Sequence, residues 1–233
     1  MKTTYIVLGI ARSGTSLCAG LLNIMGVNMN YTLGKPDFCA PKGYYESGTA
    51  NAINQEIYRL AWRGKRKYPN DGNAYYWCPP PWTDVQRQSG AIAGCIQNFI
   101  AHNAEHSKWG FKNPATCLTI ELYLPHLENP QFVLAQRDFE ENVTVCSLIY
   151  RLDIDYVRSV LTYYRSRLEA VVKAYKFPKI YVRYEDLKDN HTIVAERIAD
   201  FCGIEMTSCR RLLVDEFVVR KQFGVDKYSR RLN

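Results

Sequence analysis

Two glycines set between an apolar run and the start of a helical pattern constrain this chain more than any other feature. Tyr5-Ile6-Val7-Leu8 reads as a short buried strand, and Leu17 to Met25 as a helix closed by Gly26. Between them lies Gly9-Ile10-Ala11-Arg12-Ser13-Gly14-Thr15-Ser16. A strand–loop–helix unit of this kind turns consecutive backbone N–H groups, and the positive end of the helix dipole, toward one spot. A phosphate or a sulfate suits that spot. The glycines have the G-x-x-x-x-G spacing of a phosphate loop, but Thr15 stands where a nucleotide triphosphatase carries lysine. The cation of this loop is Arg12, inside it.

The rest of the chain alternates in the same way. After a loop-like stretch from Asn28 to Gly48, a helix is expected through Ile53, Ile57 and Leu60. Residues 63–82 lose periodicity and carry Gly64, Pro69, Asp71-Gly72 and Pro79-Pro80-Pro81, a long excursion of the kind that is more often functional than accidental. A helix is expected from Asp84 to about His106, a strand at 109–112, a helix from Thr116 to Leu127 and a buried strand from Gln131 to Ala135. Helices then run through Tyr150 and from Tyr156 to Tyr175, followed by a strand at 179–183 and a helix at 193–202. Strands alternating with helices predict an α/β fold in three layers, P-loop-like, with a central parallel sheet flanked by helices. Ligands of such sheets sit at the carboxyl ends of the strands. Residues 1–233 are read as one domain, a size that one core can serve.

The net charge of +7 suits an anionic ligand. The basic residues are scattered apart from 63–67 and the tail around Arg230-Arg231, and no aromatic-interleaved motif accompanies them, so solvated faces are expected and no nucleic-acid partner. The eight cysteines form no C-x-x-C pair. Most lie in apolar segments, so buried free thiols in a reducing compartment are expected. Arg12 interrupts the N-terminal apolar run too early for a signal peptide or a membrane span. The sequons at Asn30, Asn142 and Asn190 then carry no weight, and the expected location is cytoplasmic, with no membrane partner.

Four segments in order resemble the sulfotransferase superfamily, in particular the bacterial type related to tyrosylprotein sulfotransferases. They are the loop Gly9 to Ser16, similar to R-S-G-T-[ST]; Pro41-Lys42-Gly43-Tyr44-Tyr45-Glu46, similar to P-K-G-[YF]-[WF]-E; Trp109-Gly110-Phe111-Lys112-Asn113-Pro114, similar to W-G-x-K-[DN]-P; and Tyr184-Glu185-Asp186-Leu187, the family's Y-E-D-L box. The resemblance implies the cofactor PAPS (3′-phosphoadenosine 5′-phosphosulfate), the product adenosine 3′,5′-bisphosphate and no metal. It implies that Ala11, Arg12, Ser13, Gly14, Thr15 and Ser16 hold the 5′-phosphosulfate, with Arg12 beside the leaving oxygen. It further implies Glu46 as the base and Lys112 as the group that steadies the sulfuryl. The 3′-phosphate falls to Arg137 and a serine of the following helix. That serine is usually eight residues on, where this chain has Val145; Ser147, followed by Leu148, is preferred, with Thr144 one helical turn away. Arg220-Lys221 either reach the same phosphate or lie in a solvated tail. The acceptor would be a small molecule, a carbohydrate or a peptide, carrying a hydroxyl or an amine.

Plainer readings stand beside these. Glu46 also reads as a solvated loop glutamate, Lys112 as a salt-bridge partner, and Ser13, Thr15 and Ser16 as helix caps. The whole chain also reads as a P-loop small-molecule kinase or NTPase lacking its lysine, or as a non-catalytic nucleotide-binding module. Asp138 comes nearest to a magnesium-binding acid but follows Arg137. His102-Asn103-Ala104-Glu105-His106 matches an inverted zinc-peptidase motif that would place two histidines on one helix face, without a recognisable third ligand. The aromatics from Tyr44 to Trp82 either line an acceptor pocket or pack a long loop onto the core.

Overall fold

The computed structural model describes residues 2–30, 32, 43–64 and 72–219. Pro41-Lys42, the basic run 65–67, Tyr68, Arg220-Lys221 and Arg230-Arg231 lie outside these.

The chain runs β1 (Thr3–Leu8), α1 (Thr15–Ile24), α2 (Gly48–Ala61), a 3₁₀ turn (Gly72–Trp77), α3 (Trp82–Gln86), α4 (Ser89–Asn103), β2 (Lys108–Lys112), α5 (Thr116–Tyr123) and a second 3₁₀ turn (Leu124–His126). It continues through β3 (Pro130–Gln136), α6 (Phe139–Tyr150), α7 (Ile154–Ala174), β4 (Lys179–Arg183), α8 (Tyr184–Asp189), α9 (His191–Cys202) and α10 (Ser208–Val219). The four strands pair in parallel in the order β2-β1-β3-β4. Because they are parallel, Leu8, Lys112, Gln136 and Arg183 all end at one rim, where the connections after the strands converge.

The period of two in each strand divides the core into two layers. Ile6, Leu8, Trp109, Phe111, Phe132 and Leu134 face a cluster built with α2, α4, α5, α6 and α7. Tyr5, Val7, Val133, Ala135 and Val182 face a smaller one built with α1, α8, α9 and α10. The three-layer arrangement expected from the sequence is therefore present.

Three details depart from expectation. The predicted helix over 84–106 is two helices, α3 and α4, and it stops at Asn103, so His106 does not share a helix face with His102. No group of three or more potential metal-ligating side chains occurs among the described residues. Helix α1 begins at Thr15 on the left-handed N-cap Gly14, and no side chain caps it, so the capping reading of Ser13, Thr15 and Ser16 fails. The segment after β4 is helical, and His191 is the first residue of α9, where its Nε2 meets Asp215 Oδ1 of α10 at 2.9 Å. Cys18, Cys117, Cys146 and Cys202 are buried free thiols, while Cys95 and Cys209 are exposed. No described helix is long and apolar enough to cross a membrane.

Of the excursion, Tyr75, Tyr76 and Trp77 pack onto the core. Tyr58, Tyr75, Tyr76 and Trp77 are buried in the larger cluster. Three tyrosines of α7 hold its backbone: Tyr164 donates to Tyr76 O (2.9 Å), Tyr163 to Pro80 O (3.0 Å) and Tyr156 to Trp77 O.

Sheet spacing makes Gly110 a sharp test. A Cβ there would stand 2.3 Å from Tyr5 O of the neighbouring strand, an atom that cannot move without breaking the ladder. Gly110→Ala should lower the unfolding free energy by about 1–3 kcal/mol in urea titrations. Gly94→Ala, on an exposed turn of α4 with nothing within 4 Å, should raise it by about 0.5–1 kcal/mol.

Candidate active site

The rim gathers four segments. The first is the loop after β1. Arg12 holds a left-handed backbone (φ 65°), a strain of order 1–3 kcal/mol in a residue with a side chain, and Gly14 follows at φ 95°. The loop is pinned from behind: Gly9 N–H donates to Cys117 Sγ (3.3 Å) and Ala11 N–H to Tyr76 Oη (3.0 Å). Asn142 Nδ2 donates to Ala11 O (3.1 Å), and the Cys146 thiol also points to that carbonyl. Burial pushes the Cys117 and Cys146 thiols up to about 12, so both are neutral posts.

With Ala11 N–H already engaged, the amides of Arg12, Gly14, Thr15 and Ser16 have no acceptor among the described residues. Two buried side-chain atoms of the same loop, Arg12 Nε and Ser13 Oγ, also lack a partner. Buried polar groups are rarely left unpaired, and a cluster of unmatched donors around a helix N-terminus is the complement of an anion.

The second and third segments meet in an ion pair. Lys112, the last residue of β2, is 2% exposed, and Glu46 is 8% exposed. Lys112 Nζ donates to Glu46 Oε1 (2.7 Å), to Tyr44 O (3.1 Å) and to Ser16 Oγ (3.2 Å). The solvated-glutamate reading of Glu46 is thereby excluded, and the salt-bridge reading of Lys112 holds, with Glu46 itself as partner. Glu46 is turned inward by left-handed backbone at Gly43 (φ 87°) and Tyr45 (φ 50°). It precedes Ser47, the N-cap of α2, whose side chain accepts from Ala50 N (3.2 Å). The positive end of α2 therefore lies beside the carboxylate.

Arg137, just past β3, comes from the fourth side. Its guanidinium donates to Glu141 Oε2 from Nε (3.2 Å) and Nη2 (3.1 Å) and to Arg12 O from Nη1 (3.5 Å). It lies 4.4 Å from the centroid of the Tyr184 ring. That ring also passes Gly14, where a Cβ would come within 3.2 Å of it. Arg12, Lys112 and Arg137 thus belong to one rim. Ser147 and Thr144 lie on α6, but their hydroxyls donate to Leu152 O (2.7 Å) and Glu140 O (2.9 Å). Asp138, the acid nearest to a magnesium ligand by sequence, is the N-cap of α6 and accepts from Glu141 N (2.9 Å).

Sequence reasoning missed the amides behind the ion pair. Asn113 Nδ2 donates to Glu46 Oε2 (3.4 Å), and Asn54 is fully buried behind Asn113. It also missed Tyr76 and Asn142, whose sole signal was a polar residue in an apolar helical or aromatic run.

Comparison with known proteins fits this geometry. A profile of the Sulfotransferase family matches residues 5–208. Sulfotransferase STF9 from Mycobacterium avium superposes with a TM-score of 0.56 at 16% identity, over 95% of this chain and 69% of that one. The sulfotransferase domain from the curacin biosynthetic pathway gives 0.53 at 12%, over 92% and 78%. Sulfotransferase STF1 from Mycobacterium tuberculosis gives 0.52 at 14%, over 92% and 71%. At these identities the likeness is one of fold. No curated protein matches the sequence.

Removing one member of a buried ion pair strands the other without water. Lys112→Met should therefore cost about 3–5 kcal/mol of unfolding free energy, and adding Glu46→Gln should recover much of that loss. Chemical denaturation of the two single variants and the double variant measures it.

Proposed function

The chain belongs to the sulfotransferase family, and on that premise we propose that it is a PAPS-dependent sulfotransferase acting on a hydroxyl or amine acceptor and releasing adenosine 3′,5′-bisphosphate. The observation that carries the reading is the juxtaposition at one sheet rim of an arginine-bearing loop with unmatched donors and a buried Lys112–Glu46 pair. The four motifs support kinship with the bacterial type related to tyrosylprotein sulfotransferases, with residues 1–233 acting as one domain.

The residues fit the cofactor. Arg12, Ser13, Gly14, Thr15 and Ser16 would hold the 5′-phosphosulfate through the loop's free amides, Arg12 Nε and Ser13 Oγ. Ala11 would act by shape, since its N–H and C=O are both engaged. Arg137 would take the 3′-phosphate, with Ser147 turning its hydroxyl from Leu152 O to join it. PAPS, when bound, supplies a sulfuryl group on an anhydride whose phosphate oxygen gains charge as the bond to sulfur breaks. Arg12 and Lys112 would meet that charge with fixed cations, which need no reorganisation at the moment of reaction. Glu46 would take the proton that the acceptor loses. Acceptor hydroxyl, base and cations have to be aligned before any of this is effective. Small-molecule, carbohydrate and peptide acceptors all satisfy this chemistry, and no nucleic-acid or membrane partner is needed.

Calorimetry tests the ligand. Adenosine 3′,5′-bisphosphate should bind without metal and more tightly than ADP. Equal affinity, or an absolute need for Mg²⁺, would favour the kinase alternative instead.

Kinetics test the base. Glu46→Gln keeps size and removes basicity, so PAPS affinity should survive while turnover of hydroxyl acceptors falls roughly 10²–10⁴-fold. A fully active variant would place the base elsewhere.

A further inference from the structure

Behind the ion pair lies a buried amide network, and we propose that Asn113 is a positioning residue that aims Glu46 Oε2 at the acceptor, resting on the assignment of Glu46 as the base. Asn113 follows Lys112 directly and is 2% exposed. Its Oδ1 accepts from Ala115 N (3.0 Å) and Asn54 Nδ2 (3.1 Å), and Tyr75 Oη stands 3.2 Å away with its one proton shared with the nearer Asn51 Oδ1 (2.8 Å). One of these donors is a backbone N–H, which cannot reverse its role. The amide is therefore fixed in one sense, with Nδ2 as the group left to face Asn51 Oδ1 (2.9 Å) and Glu46 Oε2 (3.4 Å).

Asn54 secures the arrangement from the rear. Its Nδ2 donates to Asn113 Oδ1 and to Thr116 Oγ1 (3.0 Å), and its Oδ1 accepts from Thr119 Oγ1 (2.7 Å) and Tyr123 Oη (3.0 Å). All four hydrogen-bonding positions of Asn54 are used, so α5 and α2 clamp one orientation of the pair of amides. The two oxygens of Glu46 then have unequal partners. Oε1 is tied at 2.7 Å to the ammonium of Lys112, while Oε2 carries the long bond from a neutral amide. Oε2 is the oxygen free to exchange that weak partner for the acceptor's proton. A neutral amide can orient the carboxylate without adding a second charge to compete with Lys112.

Two measurements on Asn113→Ala decide this. In its crystal structure Glu46 should leave the present rotamer while the loop 9–16 stays in place; an unmoved Glu46 overturns the proposal. Turnover is measured with PAPS and a panel of phenol, alcohol and amine acceptors. Asn113→Ala should lower kcat roughly 10²-fold, with the dissociation constant of adenosine 3′,5′-bisphosphate nearly unchanged. In a Glu46→Gln background the same substitution should lower kcat no further, because it acts through Glu46. Equal fractional losses in both backgrounds would overturn it.

Should Asn113→Ala fail to fold, Asn113→Asp keeps the Oδ1 contacts and sets a carboxylate oxygen against Glu46. It should show the same loss in the wild-type background and no additional loss in the already slow Glu46→Gln background, where the glutamine supplies an amide donor. A Glu46→Gln protein with full kcat would instead sink the reading of Glu46 as base, while the crystal structure still decides whether Asn113 orients that side chain.

Discussion

The buried ion pair between Lys112 and Glu46 is the constraint on which the rest of this molecule turns. Removing both charges from water is expensive, and the attraction between them compensates only where every remaining donor and acceptor is satisfied. Lys112 meets that condition with three acceptors, drawn from Tyr44 within the inward turn, the first turn of α1 and Glu46 itself. A single ammonium therefore joins the loop after β1, the approach to α2 and the end of β2. Well-packed apolar residues often stabilise such a position as well as an ion pair does. A charged pair kept at the carboxyl rim of a parallel sheet, the rim where such sheets take their ligands, is explained by chemistry more readily than by stability.

The loop after β1 obeys the opposite logic. Where the ion pair is satisfied internally, the loop holds donors without acceptors among the described residues and a strained arginine. Those features would be costly in an isolated loop. Here the loop is braced by contacts behind it, from Cys117, Tyr76, Asn142 and Cys146. The braces engage the Gly9 and Ala11 N–H groups and the Ala11 carbonyl, and none of them takes up the amides of Arg12, Gly14, Thr15 or Ser16. Neutral thiols serve because burial keeps them protonated, so they hold the backbone without adding charge beside the loop's unmatched donors. The smaller core cluster on the opposite face of the sheet fixes the helix whose N-terminus completes the site.

Much of this was legible in the sequence. Short apolar runs flanked by turn residues marked all four strands, and helical periodicity marked α7 to within two residues at its start. Arg12, Glu46, Lys112 and Arg137 were legible because each lies in a motif at a strand end or an adjoining loop. Helix boundaries were less so. Gly14 starts α1 by its backbone conformation, not by a side-chain cap, and nothing in the letters Ser13 or Thr15 distinguishes the two. Helix α10 was missed because its pattern is weak, with only Val214 buried on it among the residues whose side chains are described. The amide network was illegible for a different reason. Asn54 and Asn113 are 59 residues apart, and neither position carries a local pattern that announces its partner. Ser147 shows the limit of motif reasoning: its place on α6 is as expected, but its hydroxyl is engaged at the helix end.

The tyrosines supply the final link between fold and chemistry. Tyr76 and Tyr164 stack at 4.2 Å with parallel rings, and Tyr164 also shares a hydrogen bond of 2.7 Å with Tyr58. Tyr164 belongs to α7, Tyr58 to α2, and Tyr76 to the excursion between α2 and α3. Burial raises all three hydroxyls well above their ordinary range, so they remain neutral donors and acceptors at any pH the fold tolerates. The stack therefore transmits position and not charge. Through Tyr76 Oη it ends on Ala11 N–H, one residue before Arg12. Tyr76, in an excursion whose aromatics read in the sequence either as pocket lining or as packing, thus acts from behind the loop. It fixes where the loop's cation stands relative to the Lys112–Glu46 pair, so that the positive groups of the rim are set before any ligand arrives.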